Sequence, residues 1–386
     1  RRRRRRRRAM AEKRLTSNLP EEIMEEILYN LPIKSVLRFK CVSKSWLSTI
    51  SSKTFIKDHL KRSIAEDEEK PGLKVLTNRK ILFNYVKPAA RLSYSIGSFS
   101  LCKNPKITPT LYDIPIQNVG FMHIIGSCNG LILIMIEGKL VLWNPSTRIY
   151  RVIPSPSFNE AIFLHDGPFH VRYGFGYDES NDDYKVICIK DTNYFPEPYH
   201  YETRMYSSKT NSWKKFDNCE KHLHGTHDGI LVNGRLHWLV QYNRSTGSRD
   251  IVSLDLAEEK YQTFSHGVEY SSGVVSLVEL GGYLGLMNLM SGADVNVWVM
   301  KEYGVTESWT KVWTLSNFID QLPRKCVGDI GKLKPLCWSK NGDISIAFGQ
   351  YVVVCNGKNV LRKSRVGSVF EHRIQPIVYV ESLVSA

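Results

Sequence analysis

Apolar residues near the N-terminus recur at the spacing of an amphipathic helix. The segment Leu19–Glu22 is a helix-start signal, because a proline and acidic residues both suit the first helical turn. Apolar residues then recur every three or four positions up to Leu31. Pro32 ends this helix and can begin a second, and a break near Ser43 precedes a third. We predict three short helices within residues 10–62, too small a unit to bury all its large apolar side chains.

The rest of the chain alternates apolar and polar residues with the two-residue period of half-buried strands, as in Leu236-Trp238-Val240. Turn signals separate these runs, and successive signals start 52, 52, 48 and 60 residues apart. These signals are Asn129-Gly130, Asn181-Asp182, Asn233-Gly234, Gly281-Gly282 and Asn341-Gly342. After each of the first four comes an apolar strand, a polar turn and an aromatic residue. The four aromatic residues are Tyr150, Trp213, Tyr261 and Trp309.

Four strands in about 50 residues is typical of a kelch-type propeller blade. Residues 73–386 have room for about six such blades. We expect the ring to close by pairing an early strand within residues 73–94 with the C-terminal run Gln375–Val380. The predicted fold class is therefore α+β multidomain, a three-helix head followed by an all-β propeller of about six blades. A pair of β-sandwiches is the alternative.

Composition and charge refine the domain limits. The run Arg1–Arg8 precedes Ala9 and Met10 and has the character of an added tag over residues 1–9. Without its eight charges the formal net charge falls from +15 to +7, which is basic but not extreme. Residues 63–72 include an acidic stretch with a proline and a glycine and are predicted to be a linker.

The eight cysteines are scattered and form no Cys-x-x-Cys pair. This usage, together with a polar N-terminal segment, predicts reduced cysteines in a cytoplasmic or nuclear protein. The longest purely apolar run, Leu131–Ile136, is far shorter than the roughly 20 residues of a spanning helix, so we expect no membrane partner.

Two resemblances cover nearly the whole chain. The head segments Leu19-Pro20-Glu21-Glu22-Ile23, Ile27-Leu28, Leu31-Pro32, Leu37-Arg38-Phe39-Lys40-Cys41-Val42 and Ser43-Lys44-Ser45-Trp46 together resemble an F-box. The body resembles the F-box-associated domain of the large plant F-box/kelch-like family, which includes the S-locus F-box proteins. The segments that carry this second resemblance are Gly126–Leu131, Trp143–Arg148, Gly174–Asp178, Asp183–Val186 and Asn233–Trp238.

The resemblance implies the substrate receptor of a Skp–cullin–F-box ubiquitin ligase. Its partners would be a Skp-type adaptor, through it a cullin–RING complex, and an unidentified protein substrate held by the propeller. The apolar stripe expected to contact the adaptor consists of Leu19, Pro20, Ile23, Ile27, Leu31, Pro32, Val36, Leu37, Cys41, Val42 and Trp46. Such a stripe is too apolar to remain exposed to water. Residues 31–62 add eight Lys or Arg against one acid, which suits an acidic partner. The alternative is that the stripe packs against the body.

The sequence contains only weak signals for catalytic or metal-binding residues. The segment Gly126–Gly130 has nucleophile-elbow spacing around Cys128, but a strand-like run follows where an elbow needs a helix. Gly174-Phe175-Gly176 lacks the third glycine of a dinucleotide fingerprint. The adjacent Asp182 and Asp183 suggest a solvated turn rather than an acid–base pair. Four candidate zinc ligands lie in a single loop: Cys219, His222, His224 and His227. Structural zinc sites usually take their ligands from two separate segments, so this signal is weak. We expect a non-catalytic protein without cofactor or metal.

The substrate-binding residues are the least constrained part of the prediction. Specificity in a propeller usually lies in loops at one face, and the long non-periodic stretches are 155–171, 191–201 and 241–249. The candidate substrate-binding aromatics in these stretches are Phe158, Phe163, Tyr194, Phe195 and Tyr199. Local packing of the same aromatics is an equal alternative. Two competing functions remain open: a basic propeller that binds nucleic acid, which we disfavour because most basic runs are solvated faces, and a propeller that binds a carbohydrate or another small molecule.

Overall fold

The structure is a computed structural model. It describes residues 20–65, 79–86, 94–100, 110–112, 122–156, 171–191, 201–219, 221, 223, 228–240, 250–268, 274–289, 294–316, 318, 333–338, 342–348, 351–357, 359–365 and 376–386. The chain divides into two compact units, Arg1–Arg62 and Ser63–Ala386. We refer to the first unit as the head and to the second as the body. No helix among the described residues is long and apolar enough to cross a membrane.

The described part of the head contains four helices: α1 (Glu21–Tyr29), α2 (Ile33–Phe39), α3 (Lys44–Ser51) and α4 (Lys53–Ala65). The prediction of three helices was therefore wrong. Ser52 divides the last two helices, since its backbone is extended (φ −68°, ψ 144°). The Ser52 hydroxyl accepts a hydrogen bond from the backbone N–H of Phe55 at 3.2 Å, which satisfies a free donor at the start of α4.

The four helices share a small core of their own. Tyr29 of α1 stacks on Phe55 of α4 with ring centroids 4.6 Å apart. The buried His59 contacts the carbonyl oxygen of Leu31 through Nε2 at 3.1 Å, which ties α4 to the end of α1. The buried apolar side chains of the head are Met24, Leu28, Ile33, Val36, Ile50, Phe55 and Leu60. Each such side chain contributes roughly 1.5–3 kcal/mol on burial, so this core defines how the helices are arranged.

The body consists of short antiparallel strands. The first twelve are β1 (Arg79–Val86), β2 (Tyr94–Ser100), β3 (Thr110–Tyr112), β4 (Met122–Cys128), β5 (Leu131–Ile136), β6 (Lys139–Asn144), β7 (Ile149–Val152), β8 (Val171–Asp178), β9 (Asp183–Asp191), β10 (Tyr201–Ser207), β11 (Ser212–Phe216) and β12 (Ile230–Val232). The others are β13 (Arg235–Leu239), β14 (Asp250–Asp255), β15 (Lys260–Ser265), β16 (Val274–Leu280), β17 (Tyr283–Leu289), β18 (Val295–Met300), β19 (Trp309–Leu315), β20 (Lys334–Trp338), β21 (Ile344–Phe348), β22 (Tyr351–Cys355), β23 (Val360–Arg365) and β24 (Ile377–Val380).

These strands form six four-stranded sheets. Sheet 1 has the order β24-β1-β2-β3, and the other five are built from consecutive strands: sheet 2 from β4–β7, sheet 3 from β8–β11, sheet 4 from β12–β15, sheet 5 from β16–β19 and sheet 6 from β20–β23. The innermost strands neighbour one another in the cycle β24, β4, β8, β12, β16, β20 and back to β24. The body is therefore a β-propeller and not a pair of sandwiches.

Ring closure follows the predicted pairing. The C-terminal strand β24 pairs antiparallel with β1, with Arg79 opposite Val380 and Leu82 opposite Ile377. Sheet 1 thus combines strands from the two ends of the body, and the Lys80 ammonium adds an ion pair with Glu381 at 2.5 Å. A ring closed in this way leaves only short, protected strand edges.

The repeated turn signals lie between the first and second strands of sheets 2 to 6. Asn129 and Gly130 have φ of 52° and 83°, and Asn233 and Gly234 have φ of 51° and 71°. Asparagine and glycine tolerate this left-handed conformation, which two-residue hairpins require. Asn341 lies outside the described residues, while the adjacent Gly342 has φ of 84°. The repeat of about 50 residues in the sequence is therefore the repeat of the sheets.

The second repeated element is the hairpin between the third and fourth strands. Its predicted aromatic residues lie directly opposite residues of the third strand. These cross-strand pairs are Trp143 with Tyr150, Tyr206 with Trp213, Leu254 with Tyr261, and Met300 with Trp309. Aromatic cross-strand pairs of this kind stabilise the outer hairpin of a sheet by about 0.2–1 kcal/mol each.

Candidate functional site

Helix α1 carries two adjacent apolar rows. Met24 and Leu28 lie four residues apart on the face that packs into the head core. Ile23 and Ile27 each come one residue earlier, which places them about 100° around the helix. Their side chains are 49% and 44% exposed, and Pro20, just before the helix, is exposed as well. The head therefore uses one row for its own folding and presents the other row to solvent.

A second group of exposed apolar side chains lies at the connection between α2 and α3. Val42 is 59% exposed and Leu47 on α3 is 46% exposed. Leu47 was not among the predicted contact residues, although it directly follows Trp46 in the sequence. We use the name outer apolar set for the exposed apolar residues of this part of the head, which are Pro20, Ile23, Ile27, Pro32, Cys41, Val42 and Leu47.

The other predicted contact residues have different environments. Leu31, Leu37 and Trp46 are half-buried, and Leu19 lies outside the described residues. Val36 is completely buried in the head core, so its assignment to the exposed stripe is corrected. The reason is geometric: helical spacing alone does not say which of two neighbouring apolar rows faces the core.

The turn before α3 is held by two local contacts. The Ser43 hydroxyl accepts a hydrogen bond from the backbone N–H of Trp46 at 3.1 Å, so Ser43 is the N-cap of α3. The Trp46 ring meets the Phe39 ring edge-on with centroids 5.2 Å apart. These contacts join the end of α2 to the start of α3 and hold the intervening Val42 in its exposed position.

Charge is segregated along the head. Helix α1 contains four glutamates and no basic residue, whereas the eight basic residues belong to residues 31–62. Arg62 joins the two regions, since its Nη1 lies 2.7 Å from Glu26 Oε1 and its guanidinium carbon lies 4.4 Å from the centroid of the Tyr29 ring. The hydrogen bond from Arg62 lowers the pKa of Glu26. The outer apolar set is thus flanked by charges of both signs.

The predicted substrate-binding aromatics all lie outside the described residues. The strand ends that flank their segments are described: 157–170 connects the fourth strand of sheet 2 to the first strand of sheet 3, and 192–200 connects the second and third strands of sheet 3. In an antiparallel four-stranded sheet, both connections leave from the same face. Segment 241–249 connects the second and third strands of sheet 4, which corresponds to the same face again.

Cys128 ends strand β4 and leads into the hairpin turn at Asn129-Gly130, not into a helix. Burial raises the pKa of the Cys128 thiol to about 12, which disfavours the nucleophilic thiolate at neutral pH. A Cβ atom on Gly130 would lie 2.5 Å from Ser382 Cβ, so this glycine admits the C-terminal residues close to the turn. The geometry around Cys128 is that of a packed hairpin.

The other candidate sites also have structural explanations. Of the four candidate zinc ligands, Cys219 is buried and the three histidines lie outside the described residues, among which no cluster of three metal-binding side chains is found. Gly174 lies in the middle of β8, where a Cβ atom would come 2.6 Å from Leu236 Cδ1. The glycine therefore serves the close approach of sheet 4 to sheet 3 rather than a nucleotide.

The Asp182–Asp183 turn is only partly the solvated tip that the sequence predicted. Asp182 accepts a hydrogen bond from the Tyr177 hydroxyl. Asp183 is buried, and its Oδ1 accepts hydrogen bonds from the Ser208 hydroxyl at 2.9 Å and from the Lys209 backbone N–H at 3.0 Å. The prediction of a solvated Asp183 is therefore corrected: its carboxylate accepts hydrogen bonds that join two neighbouring turns of sheet 3.

A buried ion cluster joins sheets 3 and 4. Lys185 Nζ lies 2.8 Å from Asp178 Oδ2 and 2.9 Å from Glu259 Oε1, and it donates to the Leu256 carbonyl at 2.6 Å. Burial alone would raise the pKa of Asp178 and lower that of Lys185, but the hydrogen-bonded ion pair outweighs it in both groups. The pKa of Asp178 is lowered and that of Lys185 is raised, so the cluster is charged at neutral pH.

A buried histidine performs a similar joining role between sheets 4 and 5. His237 contacts the Ile230 carbonyl oxygen through Nδ1 at 3.1 Å and the Tyr303 hydroxyl through Nε2 at 2.7 Å. Burial lowers the pKa of His237 to about 4. The ring is therefore neutral at pH 7, and its position in a packed interface between sheets assigns it to the structure of the body.

Comparisons with known proteins agree with this architecture. The model of the F-box domain matches residues 16–58, and that of the F-box associated beta propeller domain matches residues 93–386. F-box/kelch-repeat protein At3g23880 of Arabidopsis thaliana is 31% identical over 310 residues, which cover 78% of this chain and 81% of that protein.

Two further relatives come from the same plant. F-box protein CPR1 of Arabidopsis thaliana is 31% identical over 351 residues, covering 84% of this chain and 78% of that protein. F-box protein At4g22390 is 28% identical over 347 residues, covering 83% and 78% of the two chains. The resemblance inferred from the sequence is confirmed: the chain belongs to the family with an F-box associated beta propeller domain, and with an F-box ahead of that domain it is a plant F-box protein.

Proposed function

We propose that the chain is the substrate-recognition subunit of a Skp–cullin–F-box ubiquitin ligase. The head would bind a Skp-type adaptor, and through it a cullin–RING complex, while the propeller would hold the protein to be ubiquitinated. The observation that carries the proposal is the outer row of α1, in which Ile23 and Ile27 are 49% and 44% exposed although the head has a complete core without them. Large apolar side chains left in water mark a surface for another protein.

The outer apolar set supplies the contact area in this proposal. Val42 and Leu47 add exposed apolar surface at the connection between α2 and α3. Leu31, Leu37 and Trp46 are half-buried and would contribute their accessible edges. Val36 would act indirectly, since it is buried and fixes how α2 packs in the head. Leu19 remains a proposed contact residue on the strength of the F-box motif alone.

Charge would orient the complex more than it strengthens it. The basic residues of 31–62 face an acidic partner favourably, and rim charges mainly affect association rate and register. The acidic first turn of α1, with Glu21 and Glu22, lies at the opposite end of this charge distribution. An acidic part of the partner surface is therefore favoured next to α2–α4, whereas contact with α1 would rest on its exposed apolar row.

We further propose that the six four-stranded sheets are six blades of the kelch type, because the first turn signal recurs in sheets 2 to 6 and the second repeated element recurs in sheets 2 to 5. The propeller would contribute no catalytic group. Its role would be to raise the effective concentration of substrate lysines near the loaded conjugating enzyme, which other subunits provide. The target protein would be bound at the face from which the three long connections leave.

The test is reconstitution from purified parts. Tag-free chain, a Skp-type adaptor and a cullin are mixed, and complexes are separated by size-exclusion chromatography. We expect the cullin to co-elute with the chain only when the adaptor is present. A chain that stays monodisperse and alone in the presence of both proteins would contradict the proposal. The matched variant carries Leu19→Ala and Pro20→Ala, and it is expected to lose the complex while keeping the elution volume of the free chain.

A further inference from the structure

Strand β7 is the outer edge of sheet 2, and its exposed side chains are mostly apolar. It is the last strand in the order of that sheet and pairs with β6. Ile149, Tyr150 and Val152 are 47%, 48% and 45% exposed. Among the described residues of the body, no other strand exposes more than one large apolar side chain. An apolar strand edge in water is a surface on which another chain can pair.

The other sheets of the ring provide an internal reference for β7. The position of Ile149, one residue before the repeated aromatic residue, holds the exposed Ser212 in sheet 3 and the exposed Lys260 in sheet 4. The position of Val152, two residues after the aromatic, holds exposed polar residues in sheets 3 to 5: Lys215, Thr263 and Lys311. The aromatic residues equivalent to Tyr150 in those sheets are half-buried. The repeat therefore folds with polar residues at both places, and folding does not account for the apolar side chains of β7.

The backbone of β7 also has a free hydrogen-bonding edge. The Ile153 N–H donates to the Leu140 carbonyl at 2.9 Å, and bonded and non-bonded residue pairs alternate along two antiparallel strands. The backbone groups of Arg151 therefore point to β6, whereas those of Tyr150 and Val152 point away from it. In the part of the chain that the structure describes, no strand pairs with this outer edge. An added strand would complete the backbone hydrogen bonds of both residues.

One face of this edge is basic. Arg151 is exposed, and its Nη1 lies 3.3 Å from the Ser208 carbonyl oxygen in the turn between β10 and β11. Trp213 on β11 donates from Nε1 to the Pro154 carbonyl at 2.6 Å, and Lys215 lies on the same face of β11 as Trp213. Residues 148–154 and 207–216, which these contacts bring together, hold five Lys or Arg and no acid.

The carboxylates near this face do not neutralise it. Glu259 pairs with Lys214, which lies on the other face of β11, at 2.5 Å. Asp183 is buried and accepts hydrogen bonds from the turn that follows β10. Among the described residues, Arg151 and Lys215 have no ion pair. An acidic ligand would therefore meet uncompensated positive charge here.

We propose that β7 is a docking edge for an extended, acidic segment of a partner protein, which adds antiparallel to it as a fifth strand of sheet 2. Apolar side chains of the segment cover Tyr150 and Val152, and acidic side chains alternate with them on the face of Arg151 and Lys215. The pairings within sheet 2 are themselves antiparallel. A nucleic acid would use the basic residues but not the backbone edge. The inference needs neither an adaptor nor ubiquitin transfer, so it does not rest on the proposed function.

The test uses the full tag-free chain and the peptide acetyl-Val-Glu-Val-Glu-Val-Glu with a C-terminal fluorophore, followed by fluorescence anisotropy. We expect saturable binding, and a Kd about tenfold higher when glutamines replace the glutamates. In an antiparallel pair the valine N–H groups face β7 and the glutamate N–H groups face away. N-methylation of the valines should therefore abolish binding, whereas N-methylation of the glutamates should leave the Kd within about twofold.

The matched variants take their residues from the repeat. Ile149→Ser combined with Val152→Thr introduces the side chains found at these positions in sheets 3 and 4, and the peptide Kd should rise about tenfold. Leu361→Thr is the control, because Leu361 is 53% exposed on β23, the outer strand of sheet 6. It should bind the peptide like the wild type. Equal midpoints in urea unfolding show that the variants remain folded.

Four results would overturn the proposal: no saturable binding of the acidic peptide, an equal Kd for the glutamine peptide, an equal Kd for the valine-methylated peptide, or equal weakening by Leu361→Thr. Loss of binding on methylation of the glutamates instead of the valines would overturn the antiparallel arrangement. A single-stranded RNA hexamer that binds while the peptide does not would assign the basic residues to nucleic acid, which also overturns the proposal.

Discussion

The outer row of α1 allows a quantitative prediction for adaptor binding. Ile23→Ala combined with Ile27→Ala removes apolar surface that is exposed in the free chain, 49% and 44% of the two residues, without touching Met24 or Leu28 in the core. Burying a whole isoleucine side chain is worth about 1.5–3 kcal/mol. Since about half of each side chain remains to be buried, the pair is worth about 2 kcal/mol at the interface, or about thirtyfold in Kd.

Isothermal titration of purified adaptor into tag-free chain measures this change. Thermal unfolding measured in parallel should show little loss of stability, because exposed substitutions usually change the free energy of unfolding by about 0.5 kcal/mol or less. The matched control is Ile149→Ala on β7 of the body, a residue that is 47% exposed and lies outside the head. Its Kd for the adaptor should equal that of the wild type.

An unchanged Kd in the double variant would refute the reasoning, since it would mean that the outer row stays in water in the complex. A large loss of head stability would refute it in another way, because the row would then belong to the core. Equal weakening by Ile149→Ala would show that the adaptor recognises exposed apolar surface without regard to position.

Three further predictions concern the polar groups inside the body. The pKa of His237 is lowered from 6.5 to about 4, so its contribution to stability is complete above pH 6.5 and is lost as the pH falls towards 4, in total about 3 kcal/mol. In urea unfolding, the free energy of unfolding should therefore differ less between pH 7 and pH 4.5 in His237→Gln than in the wild type. Lys185→Met leaves Asp178 buried without its partner and should cost about 3 kcal/mol or more in the same assay, whereas Lys214→Met, at a 56% exposed side chain, should cost under about 1 kcal/mol. Asn144→Ala removes hydrogen bonds to the Ser382 and Val384 carbonyl oxygens and should accelerate amide exchange in residues 381–386; unchanged exchange would contradict the anchoring role.

The repeat of the body was predictable because its signal is local. Asn129-Gly130 and Asn233-Gly234 mark their hairpins through backbone angles that few other residues adopt, so their spacing translates directly into sheets. The pairing of β1 with β24 was predictable from the closure that a ring requires. Neither inference depends on which side chains touch.

The head shows where local pattern is insufficient. Val36 and Ile23 both fit a helical apolar period, yet Val36 is buried and Ile23 is half exposed, because tertiary packing selects the inward row. The fourth helix was missed because its start depends on Ser52, an ordinary serine whose extended backbone is known only from the structure.

The contact between His123 Nε2 and Asp228 Oδ2, which are 2.5 Å apart, is one that a single segment does not reveal. His123 and Asp228 are 105 residues apart, which is about two repeats of the sequence. The repeat length was therefore a usable signal for residues at equivalent positions in alternate sheets, but the contact itself forms only when the sheets close into a ring.

The most direct test of the central claim is hydrogen–deuterium exchange of the tag-free chain with and without saturating Skp-type adaptor. We expect slower exchange in α1 and in residues 41–47 on binding, and no change in strands β4 to β24 of the propeller. Exchange rates in the head that do not change when saturating adaptor is added would contradict docking through the outer apolar set. Protection confined to the propeller would contradict it as well.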